Sequence, residues 1–345
     1  MATDERAFWL VEPGRGEIRP VRLTEPGDDE VLVRTLYSGV SRGTETLVFR
    51  GEVPASQWDA MRAPHQEGEF PAPVKYGYLN VGIVEQGGDG TDDLVGRTVF
   101  CLHPHQTAYV VPASAVVVVP DDVPPERAVL AGTVETAVNA LWDAVPLVGD
   151  RVAVVGAGMV GCTVARLLGR FPGVDVTLVD VDPTRAEVAR SLDVGFARPD
   201  ESDELPLGDC DLVVHASATA AGLQTSLDLL RAEGTVIELS WYGDSTVQLS
   251  LGGTFHSGRL GIRASQVGSV SPARRSRYTF SQRLALALEL LRDPGFDALI
   301  TGRSPFDDLP DVLAGLADGS RSAICHSITY AANDPAPDTA TKPAG

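Results

Sequence analysis

Apolar positions along the chain change rhythm near residue 126. Before it, short apolar runs at 31–36, 82–84, 97–102, 108–111 and 116–119 alternate with glycine and proline. That punctuation predicts a compact β-rich domain over 1–125. After it, 128–144 is helical in composition, and apolar strands at 152–155, 174–179, 211–216 and 235–239 are separated by helix-length segments. Such alternation predicts a parallel sheet with helices on its faces. A further strand at 260–265 precedes helical patterns at 282–292 and 309–316 and a last strand at 323–330. The expected fold class is α/β, a doubly wound parallel sheet over 126–268 beside a β-rich domain. Between the early strands, 51–74 carries Trp58, Met61, His65 and several prolines. Connections that long are commonly functional, and two large apolar side chains suit a docked lid or substrate loop, with Trp58 as a substrate contact. The stretch 331–345 is rich in Pro, Ala, Asp and Thr and is expected to be disordered.

The most informative segment is 152–180. A strand runs into Gly156-Ala157-Gly158-Met159-Val160-Gly161, a helical pattern follows, and a second strand ends on Asp180. This is a dinucleotide fingerprint in its required context. The first glycine allows the tight turn, the second lets a pyrophosphate reach the backbone, and the third lets helix and strand pack closely. Free N–H groups at the helix start, at Met159 and Val160, favour the phosphates. Asp180 can accept both hydroxyls of an adenosine ribose and repels a 2′-phosphate, so the expected cofactor is NAD. Arg185 is the nearby cation, as readily a solvated helix residue as a cofactor contact.

Composition narrows the partners. The chain has 345 residues and a formal net charge of −19. So acidic a surface disfavours nucleic acid and anionic membranes. The expected partner is a small-molecule substrate. Four cysteines, Cys101, Cys162, Cys210 and Cys325, lie in apolar surroundings without a C-x-x-C pair and read as buried reduced thiols. No signal peptide and no membrane-spanning apolar run is visible, which makes the cytoplasm the expected location.

With its β-rich start, mid-chain fingerprint and C-terminal return, the chain resembles the medium-chain dehydrogenase/reductase superfamily over about residues 5–330. Ser38-Gly39-Val40-Ser41-Arg42-Gly43-Thr44-Glu45 resembles that family's G-V-C-x-T-D turn, 76–82 (YGYLNVG) its G-H-E segment, and 136–141 (TAVNAL) the helix leading into the nucleotide domain. The S-x-G-T-E form of the first motif is similar to a narrower zinc-free group that includes bacteriochlorophyllide a dehydrogenase, which oxidises a secondary alcohol on a side chain. The resemblance implies a GroES-like first domain rejoined by 269–330, a hydride-transferring alcohol dehydrogenase, and a homodimer. Zinc members bind their metal through Cys, His, and Cys or an acid. Here those positions read Ser41, Tyr78 and, near the third, Gly132. Hydroxyls and a bare backbone do not suit Zn²⁺, so a zinc-independent member with no metal ligands is expected. Cys101, His103 and His105 alternate and could share a strand face, more simply as pocket or surface residues than as metal ligands.

Hydride transfer without zinc needs other groups to handle the alcohol proton. Thr44 matches the family hydroxyl that relays a proton, Tyr78 can bond the substrate oxygen, and Glu135 places a carboxyl in an apolar helix start, where desolvation would raise its pKa. These three are the candidate catalytic groups, with Ser41 and Glu45 beside the substrate. Each also has a plain structural reading: a turn hydroxyl, a core aromatic, a helix first-turn acid and a solvated charge. Ser217, Ser240 and Gln266 follow predicted strand ends and are expected to contact cofactor, Gln266 through the carboxamide, while Trp241 contacts substrate. His256 reads equally as an entrance or a surface residue. Two alternatives stay open: an enoyl or quinone reductase using NAD(P)H, and a non-catalytic NAD-binding sensor.

Overall fold

The computed structural model describes residues 5–200, 205 and 207–330, so the tail at 331–345 lies outside the described residues. The parallel sheet has six strands, in spatial order Gly195–Ala197, Asp175–Val179, Arg151–Val155, Cys210–His215, Leu230–Glu238 and Gly261–Ala264. Every neighbouring pair is parallel. The chain enters at a central strand, builds outward on one side, then crosses to fill the other. Between Arg151–Val155 and Cys210–His215 lies the switch point, where such sheets bind ligands beyond their strand ends. The central strands can be continuously apolar because both their faces are covered: Val152, Ala153, Val154, Val213 and Val214 are all sealed from solvent.

The α/β class is as expected, and the β-rich part forms two sheets. In the larger, Glu30–Ser41 pairs antiparallel with Asn80–Gly87, Ala108–Pro112 and Cys325–Thr329. The last of these brings the chain's end back to its beginning, and Ile300–Pro305 runs parallel beside it. The smaller sheet is built on the hairpin Glu5–Glu12 and Arg15–Val21, which apolar periodicity had not revealed. Arg, Glu and Pro interrupt its alternation, and most of Arg15–Val21 is half-buried. Helix Ala131–Ala144 starts later than composition suggested, after the separate turn Pro125–Ala128, and stops at Val145 in the left-handed region (φ 50°). One apolar core runs from Leu79, Val81 and Phe100 through Val134 and Val138 to Val152 and Leu168, so the β-rich sheet and the parallel sheet share their packing.

Candidate active site

The glycine turn has the geometry the fingerprint requires. Gly156 sits at φ 106°, and a Cβ there would lie 2.7 Å from the Ser217 nitrogen. A Cβ on Gly161 would lie 1.9 Å from the Gly156 carbonyl oxygen. A Cβ on Gly158 would meet nothing within 4 Å, which leaves the space a pyrophosphate needs. No side chain caps helix Met159–Leu168, so its first N–H groups are available to an anion. At the tip of the next strand, Asp180 accepts the Ala157 N–H at 2.6 Å and the Asp182 N–H at 2.9 Å. Its carboxylate is thereby aimed at the glycine turn and keeps lone pairs for ribose hydroxyls. Arg185 turns to Asp182, at 3.3 Å. The residues present fit a dinucleotide.

Beyond the switch point the strand ends carry polar groups. The Ser217 hydroxyl is 2.7 Å from His215 Nε2, and the Ser240 hydroxyl accepts the Ala218 N–H at 3.0 Å. His215 and Glu238, which sequence reasoning missed because both lie within apolar strands, meet behind these serines. Past Gly261–Ala264, the Gln266 side chain folds over Gly268 while its carbonyl accepts from Asn139 at 3.3 Å.

Across from these strand ends, three hydroxyls converge. Ser41 closes its strand, Thr44 lies on helix Arg42–Phe49, and the side chains of both lie beside the Tyr78 phenol and favour its ionised form. Burial, aided by the nearby Glu45 charge, pushes Tyr78 up to about 12, so it stays a donor at neutral pH. Glu45 is not a solvated charge. Its two oxygens take the Ser41 N–H at 2.7 Å and His105 Nε2 at 2.8 Å, and both side chains are buried. His105 Nδ1 lies 2.7 Å from the Ser38 hydroxyl, and Ser38 lies 2.9 Å from the Tyr330 hydroxyl. Gly77 lets this happen: at φ 129°, a Cβ there would lie 2.8 Å from the His105 ring. Trp58, Met61, Tyr78 and Trp241 pack on the same apolar cluster, which brings the loop after Leu230–Glu238 against the first domain. His256 is exposed on the short helix Thr254–Ser257.

Glu135, a candidate catalytic group, is held in an ion pair: burial raises its pKa, and its carboxylate accepts from Arg283 Nε at 3.0 Å. The alternating Cys101, His103 and His105 separate. Cys101 is buried, with its thiol pushed up to about 12 by burial, and His103 stacks on Tyr109 with ring centroids 3.7 Å apart. The zinc positions offer two hydroxyls, at Ser41 and Tyr78. A side chain at Gly132 would run into Leu79, beside Leu102 and Phe100. This donor set does not fit Zn²⁺. Among the described residues, no three His, Cys, Asp or Glu are arranged to hold a metal ion.

The chain is similar to known dehydrogenases in sequence and in fold. The chain is 27% identical over 233 residues to D-guloside 3-dehydrogenase of Shigella flexneri, covering 60% of this chain and 65% of that protein. The match therefore spans just under two thirds of that relative's length. It is 23% identical to an uncharacterised zinc-type alcohol dehydrogenase-like protein of Haemophilus influenzae, over 91% of this chain and 95% of that one. Among solved structures, a zinc-binding dehydrogenase of Sinorhizobium meliloti 1021 with bound NADP superposes with a TM-score of 0.76 at 18% identity, over 95% of this chain and 99% of that one. A protein of Escherichia coli CFT073 described as a short chain alcohol dehydrogenase, with NADH, does so at 0.74 and 16%, with the same coverage. No protein-family model matches the chain. The relatives are dehydrogenases, and the solved structures share the fold of this chain.

Proposed function

We propose that the protein is a zinc-independent, NAD-dependent oxidoreductase that interconverts a secondary alcohol and a ketone. The observation that carries this reading is the presence of Ser41, Tyr78 and Gly132 where zinc-type relatives would place metal ligands, with Thr44 beside the phenol. The bound nicotinamide supplies the hydride acceptor. Tyr78 and Thr44 bond the substrate oxygen, and the alcohol proton leaves through them to solvent, each hydroxyl releasing its own proton as it takes one, while Ser41 orients the phenol. Trp58 and Trp241 exclude water over the cleft. Asp180, with Asp182 beside it, favours NAD over NADP by repelling a 2′-phosphate. Two further parts of the reading concern setting. The open edge strand Gly261–Ala264, with Ile262 39% exposed, supports a homodimer. Buried Cys101, Cys162 and Cys325, none of them in a disulfide, support a reducing, cytoplasmic environment.

The test combines NAD⁺ or NADP⁺ with a panel of secondary alcohols, with and without a strong chelator, alongside metal analysis of the purified protein. NAD⁺-linked oxidation that survives chelation at sub-stoichiometric metal supports the proposal. Turnover that vanishes with chelation and returns with Zn²⁺ would overturn it. Binding of NAD⁺ without hydride exchange across the panel would favour a sensor.

A further inference from the structure

His215 and Glu238 end the two strands beyond the switch point and face each other, His215 Nδ1 lying 2.8 Å from Glu238 Oε2. His215 is sealed from solvent. The Glu238 carboxylate also accepts the Ser240 N–H at 2.7 Å and the Tyr242 hydroxyl at 3.0 Å. Burial alone would push Glu238 up. The hydrogen bond from His215, its charge and the Ser240 contacts outweigh that and hold Glu238 below the usual carboxylate range.

This arrangement sets the proton positions. An ionised carboxylate only accepts, so Nδ1 of the imidazole carries the proton. Nε2, at the far side of the ring, lies 2.7 Å from Ser217 Oγ, so the imidazole that Glu238 holds through Nδ1 fixes this hydroxyl. Thr219 Oγ1, which accepts the Gly222 N–H, lies 3.0 Å from the same oxygen. Ser217 sits half-buried against the Gly156 turn, its hydroxyl held in place at the crevice.

We infer that His215 and Glu238 are a buried positioning pair that holds the Ser217 hydroxyl toward a ribose hydroxyl on the nicotinamide half of the coenzyme. The inference rests on the proposed dinucleotide function and assigns a role to two residues outside the glycine fingerprint. It separates recognition of the two ends: Asp180 serves the adenosine side, and this relay serves the other.

The experiment measures NADH and AMP affinities for the full chain and for Glu238→Gln, Ser217→Ala and Ser217→Thr. Glu238→Gln and Ser217→Ala should each weaken NADH about tenfold, the worth of one good hydrogen bond, and leave AMP within about twofold. Ser217→Thr, which keeps the hydroxyl, should restore NADH binding. Parallel loss of NADH and AMP would mean general disruption of the crevice and would overturn the inference, as would unchanged NADH affinity in both variants. An unaltered chain that binds neither molecule defeats the dinucleotide reading itself, a separate failure.

Discussion

Glu135 and Arg283 form a buried ion pair at 3.0 Å that ties helix Ala131–Ala144 to helix Phe280–Leu290. The same guanidinium bonds the Asn139 side-chain oxygen and the Val267 carbonyl, each at 2.6 Å. One arginine thus satisfies a carboxylate, an amide and the loop that carries Gln266. Breaking such a pair from one side leaves a buried charge without compensation.

Arg283→Leu should therefore lose about 3–5 kcal/mol of stability in urea unfolding. Glu135→Gln should keep kcat within a few-fold, because the carboxylate serves the architecture and not the reacting oxygen. A large loss of kcat in Glu135→Gln, with coenzyme affinity intact, would return this residue to the chemistry.

Tyr78→Phe separates chemistry from binding. It removes one hydroxyl and keeps the ring packed in its cluster. Loss of a general acid or base costs roughly 10²–10⁴ in rate, so kcat should fall by at least about a hundredfold with NADH affinity unchanged. Steady-state rates beside a fluorescence titration of NADH check both halves. Because burial and the Glu45 charge push the phenol up to about 12, its ionisation should leave no mark on the rate between pH 6 and about pH 10.

Some of this site was legible in the residues, and the reasons differ. The glycine turn and Asp180 were readable because their spacing is dictated by backbone geometry within one strand–turn–helix unit. Ser41, Thr44 and Tyr78 were found through a family motif, but their proximity depends on Glu30–Ser41 pairing with Asn80–Gly87, and no local pattern shows it. Glu45 could be read equally as a surface charge. Its partner His105 lies 60 positions away, and only the fold brings them together. His215 and Glu238 were hidden by their strands' apolar neighbours. Glu135 is a related case: helix amphipathicity marks it as buried, but its partner Arg283 is 148 positions distant.

Asp180→Ser tests the cofactor assignment. The carboxylate braces the glycine turn through Ala157 and is placed to meet the adenosine ribose. Its loss should weaken NAD about tenfold and narrow the preference over NADP by a similar factor, since both a charge-assisted hydrogen bond and a repulsion disappear. Dissociation constants for NADH and NADPH, measured in parallel, report the ratio. An unchanged ratio would take selectivity away from this residue.

The buried thiols predict how the fold responds to base. Burial pushes Cys101, Cys162 and Cys325 up to about 12 and Cys210 to about 11, from a reference of 9.0. In the unfolded chain these groups would lose their protons first. Between about pH 9 and 11 the folded state therefore holds more protons than the unfolded state, and stability falls as pH rises. Each such thiol contributes a slope approaching about 1.4 kcal/mol per pH unit once its unfolded form has ionised. The buried phenols of Tyr76 and Tyr109, held well above 10.0 by burial, add to the slope at higher pH. Urea midpoints should be level near neutral pH and drop steadily above pH 9. Cys325→Ala, which removes one titrating thiol from the core, should make that decline shallower. A midpoint that stays constant to pH 11 would show that these thiols ionise as readily in the folded protein as in the open chain.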